Sequence, residues 1–307
     1  MLALASESLI ALLQSLGLRR APLLGKAVGH MMWAALPQRR KWARLAIEQH
    51  MHLSNHRAGQ LARASFLHSG QSFMEHFFSR EVDYRFMRDQ VHIPRPECFY
   101  PWLEAKRPLV AVTGHLGAWE LLAGLLNLHF RQRPAQIVVR QPKDEAMSRL
   151  MTRFRQGSGV DVVHRDQAAS KVLSNLRKKG ITAFLVDQNT GRSKAVFLPF
   201  LGRYAAVNMG PALLAIRAKA LVWPIFLLRD GKQQYTLEAH PPLDTLHLQA
   251  AALQDKITEV ATFYTRAVED MVCKYPEQWF WMHRRWKKRP KWELESSEFP
   301  VHGSQLR

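Results

Sequence analysis

The segment from Thr113 to Glu120 places a histidine and a carboxylate, His115 and Glu120, five residues apart, directly after the apolar run 109–112. An apolar run followed by a glycine-containing turn predicts a strand that ends and leads into a helix. At neutral pH a histidine can take a proton from a hydroxyl group, and a carboxylate beside it can fix its tautomer and stabilise the imidazolium. We therefore predict a general-base pair that acts on a hydroxyl acceptor.

The five-residue spacing restricts how this pair could meet. On one continuous helix the two side chains would diverge by about 140°. His115 must therefore lie in a turn and Glu120 in the first turn of the helix, where a carboxylate is favoured by the helix dipole. Gly114 and Gly117 would allow the backbone to bend between them. The alternative is a buried histidine with an incidental glutamate nearby, and the spacing alone leaves it open.

Two more polar clusters follow strand-like runs further along the chain. They are Arg140 after 137–139, and Asp187, Gln188 and Asn189 after 184–186. Because sites in open α/β sheets form outside the carboxyl ends of the strands, we expect these clusters to converge with His115. Arg140 could stabilise an oxyanion or hold a phosphate, and Asp187 could orient Arg140. A plain ion pair between Arg140 and Asp187 is the alternative.

Strand-like runs alternate with helical patterns between 109 and 239. The runs are 109–112, 136–139, 160–163, 182–186, 221–228 and 235–239, and the helical stretches are 119–130, 143–156, 166–179 and 208–218, with Asp166 as an N-cap. This alternation predicts an α/β fold with a mostly parallel mixed sheet flanked by helices, after a helical N-terminal region. We expect a single domain over 1–307, divided into a helical segment 1–36 that associates with membranes, helices over 37–97, an α/β core over 98–245, and a C-terminal helix with a basic, aromatic tail over 246–307.

The charge of the chain is strongly basic, with 44 Lys and Arg against 25 Asp and Glu and a net charge of +19. Such an excess predicts an anionic partner, which could be nucleic acid, an anionic membrane surface, a phosphorylated substrate or an acidic carrier protein. The two cysteines, Cys98 and Cys273, have no zinc-ligand spacing. Histidines 50, 52 and 56 lie in a polar stretch that is typical of a solvated helix face, so we predict no metal site.

Both ends of the chain have features of membrane-surface segments. Leucines recur at helical spacing within 9–16, and Arg19 and Arg20 precede a second apolar stretch over 21–36. This pattern suits a helix in the bilayer interface, or equally an amphipathic helix covering the core. No run of about 18 uncharged apolar residues predicts a spanning helix. In the tail, tryptophans alternate with cations, which suits lipid headgroups, although tryptophans packed on the core are the alternative. These tryptophans are Trp279, Trp281, Trp286 and Trp292.

Four motifs in order resemble those of the lipid A biosynthesis late acyltransferases, the lauroyl and myristoyl transferases of the lysophospholipid acyltransferase superfamily. They are HLGAWE, QIVVRQPKD, LVDQNTGRSKAVFLPFLGR and PEQWFWMHRRWK, and the resemblance covers roughly 43–288. It implies a glycerolipid acyltransferase-like fold and transfer of a fatty acyl chain from an acyl carrier protein or coenzyme A thioester to a hydroxyl of a phosphorylated lipid A precursor. No further cofactor is implied. The location implied is the cytoplasmic face of the inner membrane, with peripheral or N-terminal attachment.

The family's H-x4-E pair falls on His115 and Glu120, and its arginine and aspartate fall on Arg140 and Asp187. We predict that Gln188 and Arg192, in the third motif, also contact substrate. No GxSxG turn is present, so a covalent acyl-enzyme is not expected. Three other functions compete with this one, namely acylation of another glycolipid or a glycerophospholipid, nucleic-acid binding, and an inactive membrane scaffold. We do not expect nucleic acid as a partner, because the sequence has basic charge but no binding motif.

Overall fold

Ten strands are present in the residues that the computed structural model describes, which are 17–130, 132–140, 159–165, 168–231 and 234–295. The strands are β1 (Val91–His92), β2 (Leu109–Thr113), β3 (Ala135–Val139), β4 (Asp161–His164), β5 (Ile181–Leu185), β6 (Ala195–Phe200), β7 (Arg203–Asn208), β8 (Leu221–Arg229), β9 (Tyr235–Ala239) and β10 (Leu243–Asp244). Eight of them form one sheet in the order β1-β9-β8-β2-β5-β3-β4, with β10 on β8, and β6 and β7 form a separate hairpin. The predicted helix over 143–156, the predicted cap Asp166 and the leucines of 9–16 lie outside the described residues.

The centre of the large sheet is parallel. Strand β2 pairs in parallel with both β5 and β8, and β3 pairs in parallel with β4 and β5. Antiparallel pairing is confined to β8 with β9 and β10. The predicted α/β fold class with a mostly parallel mixed sheet is therefore confirmed.

Strand β2 is buried on both faces, as expected of a parallel strand between two layers of helices. Val110 and Val112 pack into one hydrophobic cluster, and Leu109 and Ala111 into the other. This alternation follows from the two-residue period of a strand. The sheet thus separates two cores, and the carboxyl end of β2 lies at the boundary between them.

Helices cover both faces of the sheet. Their bounds are α1 (Ala21–Ala35), α2 (Pro37–Met51), α3 (Asn55–Glu75), α4 (Tyr84–Gln90), α5 (Tyr100–Leu103), α6 (Leu122–His129), α7 (Ala168–Arg177), α8 (Gly210–Arg217), α9 (Leu253–Lys274) and α10 (Lys291–Glu295). Pro37 begins α2, where its missing N–H costs nothing, and Ser54 caps α3 by accepting a hydrogen bond from the Arg57 N–H. Helix α6 lies on one core, and α9 covers the other.

The described part of the N-terminal segment, helix α1, packs closely on α3. A Cβ at Gly25 would lie 2.3 Å from the Gln71 Cα, so only glycine allows this approach. On the outer face Leu23 and Met31 are 58% and 63% exposed. Helix α1 therefore covers part of the core and also presents apolar side chains outward. None of the described helices has both the length and the apolar character to cross a membrane.

Three details differ from the sequence predictions. The helix after β2 begins at Leu122 rather than at 119, because the preceding residues form a turn. The β6–β7 hairpin was not predicted. His50 is buried rather than solvated, with its ring stacked on Trp286 and its Nδ1 3.1 Å from the Leu201 carbonyl oxygen. The described residues contain no group of His, Cys, Asp or Glu side chains that could hold a metal ion.

Candidate active site

The turn after β2 is fixed by three different parts of the chain. Gly117 has a φ of 62°, and a Cβ there would lie 2.3 Å from the Leu227 carbonyl oxygen, so this position requires glycine. The Gly117 N–H donates to the Gln278 carbonyl at 3.2 Å, and the Ser72 hydroxyl donates to the Gly117 carbonyl at 2.7 Å. The Ala118 N–H donates to Leu227 at 2.7 Å. The turn is therefore held by β8, α3 and the C-terminal segment together.

His115 hydrogen-bonds Asp187 rather than Glu120. Its Nδ1 lies 2.7 Å from Asp187 Oδ1, and its backbone N–H donates to Asp187 Oδ2 at 2.8 Å. Glu120 instead lies 2.9 Å from His76 Nδ1 and accepts from the Trp119 indole at 3.3 Å. Both His115 and Glu120 face the same cavity, but the prediction that Glu120 orients the imidazole is wrong.

Strand register explains this pairing. Strands β2 and β5 are adjacent and parallel, with Thr113 opposite Leu185. His115 and Asp187 each lie two residues beyond that pair, so the register brings them to the same point on the edge of the sheet. Glu120 belongs to the turn, which carries its side chain on towards His76.

Asp187 is buried beneath the turn and stays ionised. Burial alone would raise the pKa of its carboxyl, but attraction to the His115 ring when that ring is protonated, together with hydrogen bonds from His115 and Trp279, holds that pKa well below its usual range. The Trp279 indole donates to Asp187 Oδ2 at 2.8 Å. A Cβ at Gly114 would lie 3.2 Å from the same oxygen, so the missing side chain makes room for the carboxylate.

These contacts determine which ring nitrogen of His115 can act as a base. Because Asp187 accepts a hydrogen bond from Nδ1, the proton of the neutral ring belongs on Nδ1. The lone pair is then on Nε2, which lies 3.0 Å from the Gln188 side-chain nitrogen. In this structure the Gln188 amide therefore occupies the hydrogen-bonding position at His115 Nε2.

The C-terminal segment completes the site, which the sequence analysis did not predict. Trp279 forms an antiparallel bridge with Leu116, and the Phe280 N–H donates to the His115 carbonyl at 3.0 Å. His283 Nε2 accepts from the Asn189 N–H at 2.8 Å, and burial lowers the pKa of His283 to about 4. The signal in the sequence was the density of aromatic residues and histidine over 279–286.

The tail tryptophans are mostly core residues. Trp279 and Trp281 are each 1% exposed, Trp286 is half-buried, and Trp292 is 58% exposed. Trp279 and Trp281 make an edge-to-face contact with ring centroids 4.6 Å apart. The expectation that these tryptophans lie at lipid headgroups is therefore wrong for Trp279 and Trp281, because their indoles are used in packing and in the contact with Asp187.

An apolar cavity opens beside His115, between helix α6 and the sheet. Its empty volume is about 770 Å³, including space open to solvent. His115, Trp119 and Glu120 line one end. Because α6 runs away from the turn and ends at His129, the aromatic group of Phe99, His129 and Trp223 marks the far end. The lining of this cavity is mostly apolar.

A second cavity, of about 1,660 Å³ including space open to solvent, lies on the other side of His115. Arg140 and Gln188, two of the residues predicted to contact substrate, line it together with three more cations from other elements. Arg140 is exposed, while Asp187 binds His115 and Trp279, so the predicted contact between Arg140 and Asp187 is wrong. Arg192 does not line the cavity, and its guanidinium lies over the Phe197 ring, 5.6 Å from the centroid.

The fold and the site thus define an α/β protein with a histidine–aspartate pair between an apolar cavity and a cationic one. A family model described as bacterial lipid A biosynthesis acyltransferase matches residues 5–288, and the chain belongs to that family. The predicted family is confirmed.

Individual relatives agree with this assignment. The chain is 27% identical to a lipid A biosynthesis acyltransferase of Haemophilus influenzae, over 53% of this chain and 49% of the relative. It is 28% identical to the lipid A biosynthesis lauroyltransferase of Escherichia coli, over 61% of this chain and 58% of the relative. It is also 22% identical to a phosphatidylinositol mannoside acyltransferase of Mycolicibacterium smegmatis, over 74% and 72%. The chain therefore spans about half to three-fifths of the length of the two lipid A relatives.

Proposed function

We propose that this protein transfers a fatty acyl chain from an acyl carrier thioester to a hydroxyl of a lipid A precursor. The observation that carries this proposal is the position of His115, whose ring lines both the apolar and the cationic cavity. An acyl chain in the first cavity and a polar acceptor in the second would meet at His115 Nε2. Membership of the lipid A acyltransferase family supports the same chemistry.

In the proposed reaction His115 is the general base and Asp187 its positioning residue. The acceptor hydroxyl displaces the Gln188 amide from His115 Nε2 and gives up its proton as its oxygen attacks the thioester carbonyl carbon. The tetrahedral intermediate then expels the carrier sulfur, which takes the proton from the His115 imidazolium, leaving an ester and a free thiol. The Asp187 carboxylate keeps the Nδ1 proton in place throughout.

Gln188 and Arg140 are the candidates for stabilising the oxyanion. The Gln188 amide nitrogen lies 3.0 Å from His115 Nε2, close to where the thioester carbonyl must lie for attack. An amide donor or a guanidinium at that position would stabilise the developing charge. No enzyme nucleophile is required, because a thioester is already activated. Cys98 is buried and Cys273 is exposed, and neither lines the two cavities.

The donor and the membrane belong to the same proposal. An acyl carrier protein is acidic and fits a chain with a net charge of +19, while acyl coenzyme A is the other donor with the required thioester. No additional cofactor takes part in the proposed reaction. We propose peripheral attachment to the cytoplasmic face of the inner membrane, supported by the exposed Leu23 and Met31 of α1 and by the basic charge.

A second candidate differs only in the acceptor. The similarity to a phosphatidylinositol mannoside acyltransferase, over 74% of the chain, favours a different glycolipid with the same site chemistry. Comparing the two purified acceptors in one assay separates these candidates.

The deciding experiment incubates the full chain with labelled acyl carrier protein thioesters and a tetra-acylated, Kdo-bearing lipid A precursor, followed by mass spectrometry. We expect mass gain on the precursor, and a loss of turnover of roughly 10²–10⁴-fold for His115→Ala. His92→Ala, an exposed histidine on β1, serves as the control and should retain turnover. Equal turnover for wild type and His115→Ala, with both folded, would contradict the proposal.

Membrane attachment has its own test. We expect most of the protein to sediment with membranes after lysis without detergent, and high salt to release part of it because charge attraction to the membrane surface is screened. Replacing Leu23 and Met31 by serine should increase the soluble fraction. If most of the wild-type protein is soluble after lysis at low salt, peripheral attachment is wrong.

A further inference from the structure

The cationic cavity has an unusual charge distribution. Four cations line it, contributed by the ends of two strands, a short turn and a helix: Arg140, Arg165, Lys194 and Arg217. Among the described residues that line it there is no carboxylate. None of the four cations forms an ion pair within the part of the chain that the structure describes. Their charges therefore face the cavity and are not neutralised by a carboxylate of the described residues.

Two arginines elsewhere in the protein are fixed by carboxylates. Arg229 binds both carboxylate oxygens of buried Glu75, and Arg107 binds both oxygens of Asp244. Arg133 and Arg285 are held instead by backbone carbonyl oxygens. Arg165 is held by a neutral group instead, because its Nη2 donates to the buried Thr190 hydroxyl at 2.7 Å. This hydrogen bond positions the Arg165 guanidinium without neutralising its charge.

Backbone dipoles add to the positive potential. The first described residues of α7, Ala168 and Ala169, and the first of α8, Gly210 and Pro211, line the same cavity. The N-terminal end of a helix carries partial positive charge and favours anions. The side-chain oxygen of Asn189 also faces no hydrogen-bond donor among the described residues, and Asn189 lines the cavity. A ligand that carries both an anionic group and hydroxyl or amide donors would pair with these cations and with the Asn189 side-chain oxygen.

We propose that Arg165, Lys194 and Arg217 form a binding site for a phosphate ester of a substrate, which holds that substrate with its reacting group at His115. A phosphate offers several oxygens and up to two charges, which matches three cations lining one cavity better than a single carboxylate does. This inference rests on the proposed function for the identity of the substrate. The phosphate could belong to the acceptor glycolipid or to the phosphopantetheine arm of the acyl donor.

Two charge-removing substitutions test the site, Arg165→Gln and Arg217→Gln, alone and combined. Arg177→Gln is the matched control, because Arg177 is an exposed arginine at the end of α7 outside the cavity lining. For the double variant we expect KM for one substrate to rise about tenfold or more with kcat little changed, since hydrogen bonds to charged groups are strong. The control should keep wild-type KM values.

The assay distinguishes the two sources of phosphate. If the double variant has a higher KM for the acceptor than wild type, and the two proteins do not differ with a dephosphorylated acceptor, the site binds the phosphate of the acceptor. A rise in KM for the thioester donor alone assigns it to the carrier arm. Either result supports a phosphate site. Equal KM values for the double variant and Arg177→Gln overturn it.

A binding measurement keeps this inference separate from the acyl-transfer proposal. Inorganic pyrophosphate is titrated at constant ionic strength while Tm is followed, because a ligand that binds only the native state raises Tm. We expect a rise for wild type and for Arg177→Gln that is lost in the double variant. This outcome would support the phosphate site even if no acyl transfer were found. No rise in wild type, or the same rise in all three proteins, overturns it.

Discussion

Asp187 is the residue whose role changes most between sequence and structure. As a residue after a strand, it was expected near His115 but as a partner of Arg140. In the structure both of its oxygens hydrogen-bond His115 and one also accepts from Trp279. Types and positions in sequence could predict that these groups converge, but not which carboxylate faces the imidazole. That choice depends on the register of two strands that are not consecutive in sequence.

The first prediction compares the two carboxylates near His115. Asp187→Asn should lower kcat by roughly 10²–10⁴-fold, because an amide NH₂ would then face donors that now bind a carboxylate oxygen. Glu120→Gln should lower kcat less, since Glu120 hydrogen-bonds His76 and Trp119 and not the His115 ring. Steady-state kinetics at saturating donor and acceptor would measure both effects. Circular dichroism and Tm would establish that both variants fold.

The opposite order of effects would contradict this assignment. If Glu120→Gln lost as much turnover as Asp187→Asn, Glu120 would have to act directly on substrate at the mouth of the apolar cavity. Glu120→Ala is a less specific test than Glu120→Gln, because alanine removes all side-chain contacts with His76 and Trp119.

At the scale of elements, the turn between β2 and α6 is the most constrained part of the site. Gly117→Ala should destabilise the protein by about 2 kcal/mol or more, since alanine is strained at a φ of 62° and its Cβ would overlap the Leu227 carbonyl oxygen. We also expect loss of turnover, because the turn carries His115. Chemical denaturation measures the stability change.

Gly59→Ala is the matched control for Gly117→Ala. Gly59 lies inside helix α3, and a Cβ there would meet no atom within 4 Å. We therefore expect this alanine to stabilise the protein by about 0.4–1 kcal/mol, chiefly by restricting the unfolded chain. If both substitutions changed the free energy of unfolding in the same direction, the positive φ and the close approach would not explain why position 117 is glycine.

The apolar cavity between α6 and the sheet gives a prediction about chain length. Ala183 of β5 lines the cavity and pairs with Ala111 of the neighbouring strand β2. Ala111 lies two residues before the end of β2, the strand that leads to His115. Ala183→Leu should shorten the preferred acyl chain, because the added atoms fill space that the chain would occupy. Phe130→Leu, at the end of α6, should permit longer chains.

Competition between thioesters of different chain length measures this effect as a ratio of rates, so that a general loss of activity cancels. An unchanged ratio in both variants would mean that the acyl chain lies elsewhere. Sequence analysis could not identify the walls of this cavity, because they come from four strands and a helix spread over more than 100 residues of the chain.

At the scale of the whole molecule, buried histidines link stability to pH. Burial lowers the pKa of His50 to about 4, and it also lowers the pKa of His283 to about 4 and that of His68 to about 3. In the unfolded chain each would have a pKa of about 6.5. Between pH 6.5 and 4 the unfolded state therefore binds more protons than the native state, and stability must fall as the pH is lowered.

Urea unfolding at several pH values tests this linkage. The stability of wild type should be greatest above about pH 6.5 and decline towards pH 4, by up to about 1.4 kcal/mol per pH unit for each histidine. His50→Asn, whose amide can still donate to the Leu201 carbonyl, should show a shallower decline. Its stability at neutral pH should also be lower, because the stacking on Trp286 is lost. An equally steep decline in both proteins would contradict the linkage to His50.

The sequence by itself determined the strand and helix alternation, the α/β class, the family and the placement of His115, Arg140 and Asp187 at strand ends. Those properties depend on local patterns of two to four residues and on short ordered motifs. Only the tertiary structure decided that His115 pairs with Asp187, 72 residues away, and that Trp279 supports the pair. Such contacts depend on strand register and on how the C-terminal segment packs, and both are settled by the burial of the whole core rather than by neighbouring residues.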